Sequence, residues 1–126
     1  MTGTGMQRPL SRIRIKDLRL RTFVGFNEEE QRKRQDVVVN IRIDYDALSA
    51  ARGDEVDEAL DYKTITKQVI AHVEDNRFLL LEKLVNDLVE LVMGHGAVRQ
   101  TEVEVDKPHA LRFADSVSLT MAASRD

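Results

Sequence analysis

In the stretch "VEVDKPHALRFADSVSLTM" (103–121), Lys107 stands where an alternating strand runs out, and Pro108 follows it directly. A residue before proline is driven into extended backbone, so this lysine is aimed rather than left to sweep. An amine in water, with a pKa near ~10.4, moves protons poorly at neutral pH; partial burial would lower it into a useful range. The plain alternative is a solvated strand end. Composition narrows the other chemistries. The chain has no cysteine, which removes thiolate nucleophiles, disulfides and cysteine-type zinc sites together. His72, His95 and His109 show neither HxH nor HxxxH spacing, so no metal site is expected. There is no GxxxxGK(S/T) phosphate loop.

Charge is uneven beneath a formal total of −3. Arg8, Arg12, Arg14, Lys16, Arg19 and Arg21 make the beginning basic, while Asp54, Glu55, Asp57, Glu58 and Asp61 make the middle acidic. That balance is not one of a nucleic-acid-binding protein. A basic cluster on one strand is still able to serve a small polyanion, or else is simply a solvated strand face.

The elements that must position these residues follow from periodicity. At 126 residues the chain suits one domain. "QDVVVNIRIDY" (35–45) is the clearest strand, with Val37, Val39, Ile41, Ile43 and Tyr45 on one face and Val38, Asn40, Arg42 and Asp44 on the other. "SRIRIKDLRLRTFV" (11–24) also alternates, but its phase slips, and a bulge at Lys16–Asp17 would restore it. The connector 25–34 is too long for a tight turn and too charged for a core. Two helical stripes come next. Ile65, Val69, Ile70 and Val73 follow a cap at Asp61 or Thr64, and then come Leu81, Leu84, Val85, Leu88, Leu91 and Val92, stopped by Gly94 and Gly96. Strands near 98–107 and 115–123 close the chain.

This order predicts an α+β layer, ββααββ, with a four-stranded antiparallel sheet and both helices on one face. Residues 1–10 are expected to be a disordered tail and 11–123 a single domain. No segment approaches the about 18 apolar residues of a membrane span, so no membrane partner is expected and the cytoplasm is the default location. Long unprotected sheet edges predict a homo-oligomer.

Four motifs, in order, carry a resemblance: "IRIKDLRLRTFVGFNEEEQRKRQDVVVNI", "LDYKTIT", "NRFLLLEKL" and "EVEVDKPHALRFADSVSL". Together they resemble the dihydroneopterin aldolase and epimerase family, over residues 12–122. "RLRTFVG" and "KPHALRFADSVS" are closer to its epimerase branch, which acts on dihydroneopterin triphosphate, than to its aldolases. The resemblance implies a tunnelling fold, four subunits closing a ring, two rings stacked into an octamer, and pterin sites between neighbours. It implies no cofactor.

The resemblance also implies residue roles. Glu82 anchors the pterin ring with Leu81 beside it, Lys107 transfers protons at N5 and the reacting side chain, and Tyr62 assists. Glu30 lies near the side-chain hydroxyls, though Glu28 and Glu29 leave its register open. Their ordinary readings are a helix-surface glutamate paired with a lysine for Glu82 and a tyrosine packed on the sheet for Tyr62. A triphosphate needs cations, for which Arg19, Arg21 and Arg112 are the candidates, with Arg32 and Lys33 behind them. The expected activity is 2′-epimerisation by retro-aldol and aldol steps with residual aldolase activity. The alternatives are a folate-pathway aldolase releasing glycolaldehyde and 6-hydroxymethyl-7,8-dihydropterin, and a non-catalytic oligomeric pterin-binding protein.

Overall fold

Strand β2 (Gln35–Tyr45) lies at the centre of the sheet, antiparallel to β1 (Ser11–Val24) on one side and β4 (Val98–Pro108) on the other. The computed structural model describes residues 5–126. β5 (Ser116–Ser124) pairs antiparallel with β4 and forms one edge. At the other edge the two-residue β3 (Arg77–Phe78) pairs parallel with the end of β1, giving the order β3-β1-β2-β4-β5. The sheet therefore has five strands where the sequence predicts four. Two residues are too few to show an alternation, so β3 leaves no periodic trace.

Helices α3 (Tyr62–Glu74) and α4 (Leu81–Met93) cover one face, as their stripes require. Ile65, Val69 and Val73 from α3 and Leu84, Val85 and Leu88 from α4 are buried against Val37, Val39, Ile41, Ile43, Val103 and Val105. Burying each such side chain contributes about 1.5–3 kcal/mol, so this layer dominates the fold's stability. The bulge expected in β1 is present. Ile15 pairs with Ile41 but Leu18 with Val39, and Asp17 takes φ 52 while its N–H donates to Asn40 Oδ1 at 2.9 Å. Ile13, Ile15, Leu18 and Leu20 thereby all reach the core side.

The charged connector is not a plain loop. It contains α1 (Glu28–Arg32), started by a reciprocal capping box between Asn27 and Glu30. Three glutamates in its first turn suit the positive end of the helix dipole. It lacks an apolar stripe, which hides it from periodicity. Between β2 and α3 the chain forms α2 (Leu48–Gly53) and one 3-10 turn, Val56–Glu58. Residues 5–10 are exposed and outside any regular element; the remainder of the expected tail, residues 1–4, lies outside the described residues.

The opposite sheet face is polar but not wholly solvated. Asp44, 2% exposed, accepts from Arg12 Nε at 2.9 Å and Gln100 Nε2 at 2.6 Å, and lies 3.5 Å from Arg42 Nε. Two of the basic strand residues are thus tied to one buried carboxylate, while Arg14, Lys16 and Arg19 stay exposed.

Candidate active site

Alternation along β4 decides where Lys107 points. Val103 and Val105 face the helices, so the residue two further on faces them too, at the end of the apolar core. The lysine side chain is only 12% exposed, and its Nζ donates to Glu30 Oε2 at 2.8 Å. Register has brought together two residues 77 apart in the chain. Of the three consecutive glutamates, Glu28 pairs with Arg32 and Glu29 lies 4.0 Å from Lys33, both in solvent. Glu30 alone turns inward, since a helix advances 100° per residue and spreads three neighbours around its axis.

Glu30 is held at both oxygens. Oε1 accepts from the Asn27 N–H at 3.3 Å, Asn27 Oδ1 accepts from the Glu30 N–H at 2.8 Å, and Lys107 takes Oε2. Burial pushes the Glu30 carboxyl up, but the hydrogen bonds from Lys107 and the Asn27 backbone outweigh it. The group therefore sits below the usual carboxylate range. Its carboxylate lies against Gly25, whose φ is +132 and whose N–H donates to Phe78 O at 2.9 Å. A Cβ at Gly25 would collide with the Glu30 carboxyl atoms. Sequence reading missed Gly25; the available signal was a glycine between the strand "RLRTFV" and an N-x-x-E cap.

The other expected site residues separate into two groups. Leu81 and Glu82 open α4, just beyond Phe78, whose carbonyl binds Gly25, so they share the Glu30 end of the molecule. Glu82 is exposed in the first helical turn, and its neighbour Lys83 is taken by Asp87 at 2.8 Å. Tyr62, 48% exposed, begins α3 at the far end. The last turn of that helix is beside β1, where Arg34 Nη1 donates to Glu74 O at 3.2 Å and Thr22 Oγ1 to Asn76 O at 3.2 Å. A helix of 13 residues places Tyr62 about 18 Å further along the axis. One subunit does not bring Tyr62 to the Glu30–Lys107 pair.

Two concavities flank the start of α1. One is apolar, with exposed Phe26, Leu79 and Leu80 around Phe78, Arg77 and Lys83. The other, of about 400 Å³, contains Glu30, Pro108, His109 and the cations Arg21, Lys33 and Arg34. Arg19 does not line it, and Arg112 rests instead on its own neighbour, 5.3 Å from the Phe113 ring in an exposed loop. The arrangement can bind an apolar group on one side, exchange a proton between Lys107 and Glu30 and a ligand, and offer Arg21, Lys33 and Arg34 to an anionic group on the other.

The dihydroneopterin aldolase family description matches residues 13–122. The chain is 56% identical to a dihydroneopterin triphosphate 2′-epimerase of Pseudomonas aeruginosa, over 92% of this chain and 94% of that one. It is 52% identical to the Escherichia coli protein of the same name, over 95% of this chain and all of the other. Identity to the Escherichia coli dihydroneopterin aldolase is lower, 30% over 83% of this chain and 86% of that one. Among solved structures, a Vibrio cholerae protein described as a dihydroneopterin aldolase superposes with TM-score 0.88 at 30% identity, covering 92% and 98% of the two chains. The Escherichia coli dihydroneopterin aldolase in complex with neopterin gives 0.86 at 28% identity, covering 90% and 99%.

Proposed function

Because this chain belongs to the dihydroneopterin aldolase family, we propose that it is an enzyme inverting the 2′ carbon of dihydroneopterin triphosphate, with residual aldolase activity. The observation that carries the reading is the largely buried Glu30–Lys107 pair between an apolar groove and a concavity lined by Arg21, Lys33 and Arg34. Identity to the epimerases far exceeds identity to the aldolase, so the folate-pathway aldolase reading is not favoured.

In a 7,8-dihydropterin the C6=N5 imine is itself the electron sink. A base takes the 2′-hydroxyl proton, the oxygen forms an aldehyde, and the C1′–C2′ bond breaks. Its electron pair moves to C1′=C6 while N5 gains a proton. N5 then gives up its proton as the enamine electrons attack the other face of the bound aldehyde; the C1′–C2′ bond re-forms with inverted configuration at C2′, and the new 2′-alkoxide takes back a proton. Release of the aldehyde instead, followed by protonation of C1′ and loss of the N5 proton, gives the aldolase outcome. The chemistry calls for neither a Schiff base nor a cofactor. In this reading Lys107 carries the N5 proton, Glu30 orients Lys107 and the side-chain hydroxyls, and Glu82 takes two parallel hydrogen bonds from the ring's amino group and adjacent nitrogen. Leu81 packs on the ring. Tyr62 enters from a neighbouring subunit, a role supported by its position at the opposite end of α3.

Assembly as a homo-oligomer, an octamer of two stacked tetramer rings, goes with this reading. It is supported by the outer edge of β5, unpaired among the described residues, and by the exposed Phe26, Leu79 and Leu80. A cytoplasmic location also belongs to the proposal; no helix among the described residues is long and apolar enough to cross a membrane.

The test is to incubate the protein with dihydroneopterin triphosphate and, separately, with dihydroneopterin, then resolve neopterin, monapterin and 6-hydroxymethyl products. Inversion of the triphosphate is expected. A 6-hydroxymethyl product from the unphosphorylated substrate, with no inversion of the triphosphate, sinks the reading.

A further inference from the structure

The concavity on the Asn27 side of the Glu30–Lys107 pair is not used by the retro-aldol chemistry itself. We infer that it is the polyphosphate subsite, with Arg21, Lys33 and Arg34 as its cations; this rests on the proposed function and names the part of the site that makes it an epimerase. Its wall shares Glu30 and Pro108 with the reacting end, so an anionic arm leaving the cleaved carbon passes directly into it.

The wall holds three cations and three carboxylates, with Lys107 a fourth cation beside Glu30. Its three carboxylates are already paired, Glu30 with Lys107 at 2.8 Å, Asp36 with Arg21 at 3.2 Å and Glu29 with Lys33 at 4.0 Å. The last two pairs are exposed, contribute little and exchange readily for a phosphate. Arg34 has no carboxylate partner among the described residues. Its Nη1 donates only to the carbonyls of Arg21 at 3.4 Å and Glu74 at 3.2 Å, and its guanidinium leans over the Phe23 ring at 5.3 Å. A guanidinium braced in this way keeps its remaining N–H groups for a ligand, in a fork that matches phosphate oxygens. His109, at φ +65, turns the chain over the rim. Two of the arginines that sequence reading favoured, Arg19 and Arg112, have no part in this wall.

The consequence is mechanistic. After C1′–C2′ cleavage the aldehyde fragment carries the polyphosphate, and a grip on that arm holds the aldehyde near the enamine at high effective concentration. Inversion then competes with release, and an unphosphorylated substrate lacks the tether.

The experiment compares wild type, Lys33→Ala and Arg34→Gln on both substrates, and measures binding of inorganic tripolyphosphate to each. The kcat/KM for the triphosphate should fall about tenfold or more relative to that for dihydroneopterin, the scale of one charge-assisted hydrogen bond. The share of 6-hydroxymethyl product from the triphosphate should rise, and tripolyphosphate should bind more weakly. Lys33 makes only an exposed ion pair, so its variant keeps the test valid should Arg34→Gln disturb folding. Unchanged discrimination, product ratio and tripolyphosphate affinity in Lys33→Ala overturn the inference while leaving the proposed epimerase standing. Absence of any pterin turnover in wild type counts against the proposed function instead, and equal tripolyphosphate affinity across the three proteins then overturns this inference separately.

Discussion

Lys107 at the end of β4 and Glu30 in the first turn of α1 meet at 2.8 Å across 77 residues of chain, with both side chains largely withdrawn from solvent. The contact requires the lysine to leave the sheet on the helix side, the glutamate to be fixed by Asn27, and residue 25 to have no side chain. It has consequences for rate, fold and pH.

Changing Lys107→Ala removes the group proposed to transfer protons but leaves the proposed anchor, Glu82. Turnover should fall about 10²–10⁴-fold, the usual contribution of one acid–base group, while pterin affinity changes little. Single-turnover rates and ligand titration on the same preparation check this. Near-normal turnover in an intact assembly would reduce the lysine to a strand end.

Gly25→Ala should act on Glu30 through space. The new Cβ collides with the carboxyl, and the backbone has to hold φ +132 with a side chain. A loss of about 1–3 kcal/mol in unfolding free energy is expected. It should come with a drop in kcat that Gly25→Ala shares with Glu30→Gln. Denaturant unfolding and steady-state kinetics are the readouts. An unchanged kcat argues against positioning by Gly25.

In the proposed site, Glu82→Gln sets an amide donor against the donors of the pterin ring. Binding should weaken by about 1.5–3 kcal/mol, with little effect on stability because the residue is exposed. Calorimetry with neopterin measures the first and thermal melting the second.

Tyr62 and Lys107 lie at opposite ends of this chain, so in the proposed assembly with sites between neighbours, inactive Tyr62→Phe and Lys107→Ala proteins should complement each other when reassembled together. With random mixing about one quarter of two-chain sites carry both native residues, and activity should recover toward that fraction. No recovery, with mixed assemblies shown by mass spectrometry, indicates that the two residues do not share a site.

Stability should fall in acid in a way that traces to Asp44 and Glu30. The hydrogen bond from Arg12 holds the Asp44 carboxyl below its ordinary range against the opposing effect of burial, with Gln100 and Arg42 assisting. Glu30 is likewise lowered. A carboxyl whose pKa is lower folded than unfolded stabilises fully above the unfolded values of ~4 and loses this as pH falls through the folded value. Asp44→Ala should cost about 1.5–3 kcal/mol at pH 7, the scale of hydrogen bonds to a charged group, because Arg12 remains half in solvent. The gap to wild type should close as the pH drops below the ordinary carboxylate range. Urea unfolding across pH reads it directly; a gap independent of pH rules out the ion cluster as its source.

Elements that repeat, and residues constrained by their immediate neighbours, were legible along the chain. Alternation marked β2, helical spacing marked α3 and α4, and the phase slip in "SRIRIKDLRLR" was sufficient to locate the bulge, because each of these is a property of neighbours along the chain. Pro108 likewise restricts Lys107 from the adjacent position. What depends on register between distant segments emerged with the folded chain. It selected Glu30 from three equivalent glutamates, brought it to Lys107, required a bare backbone at Gly25, separated Tyr62 from that end, and set Arg34 rather than Arg112 beside the cavity. Helix α1 and strand β3 stayed hidden because neither is long enough or apolar enough to repeat. One is held by a cap and the other by two backbone pairings, and neither buries enough apolar surface to impose a period on the sequence.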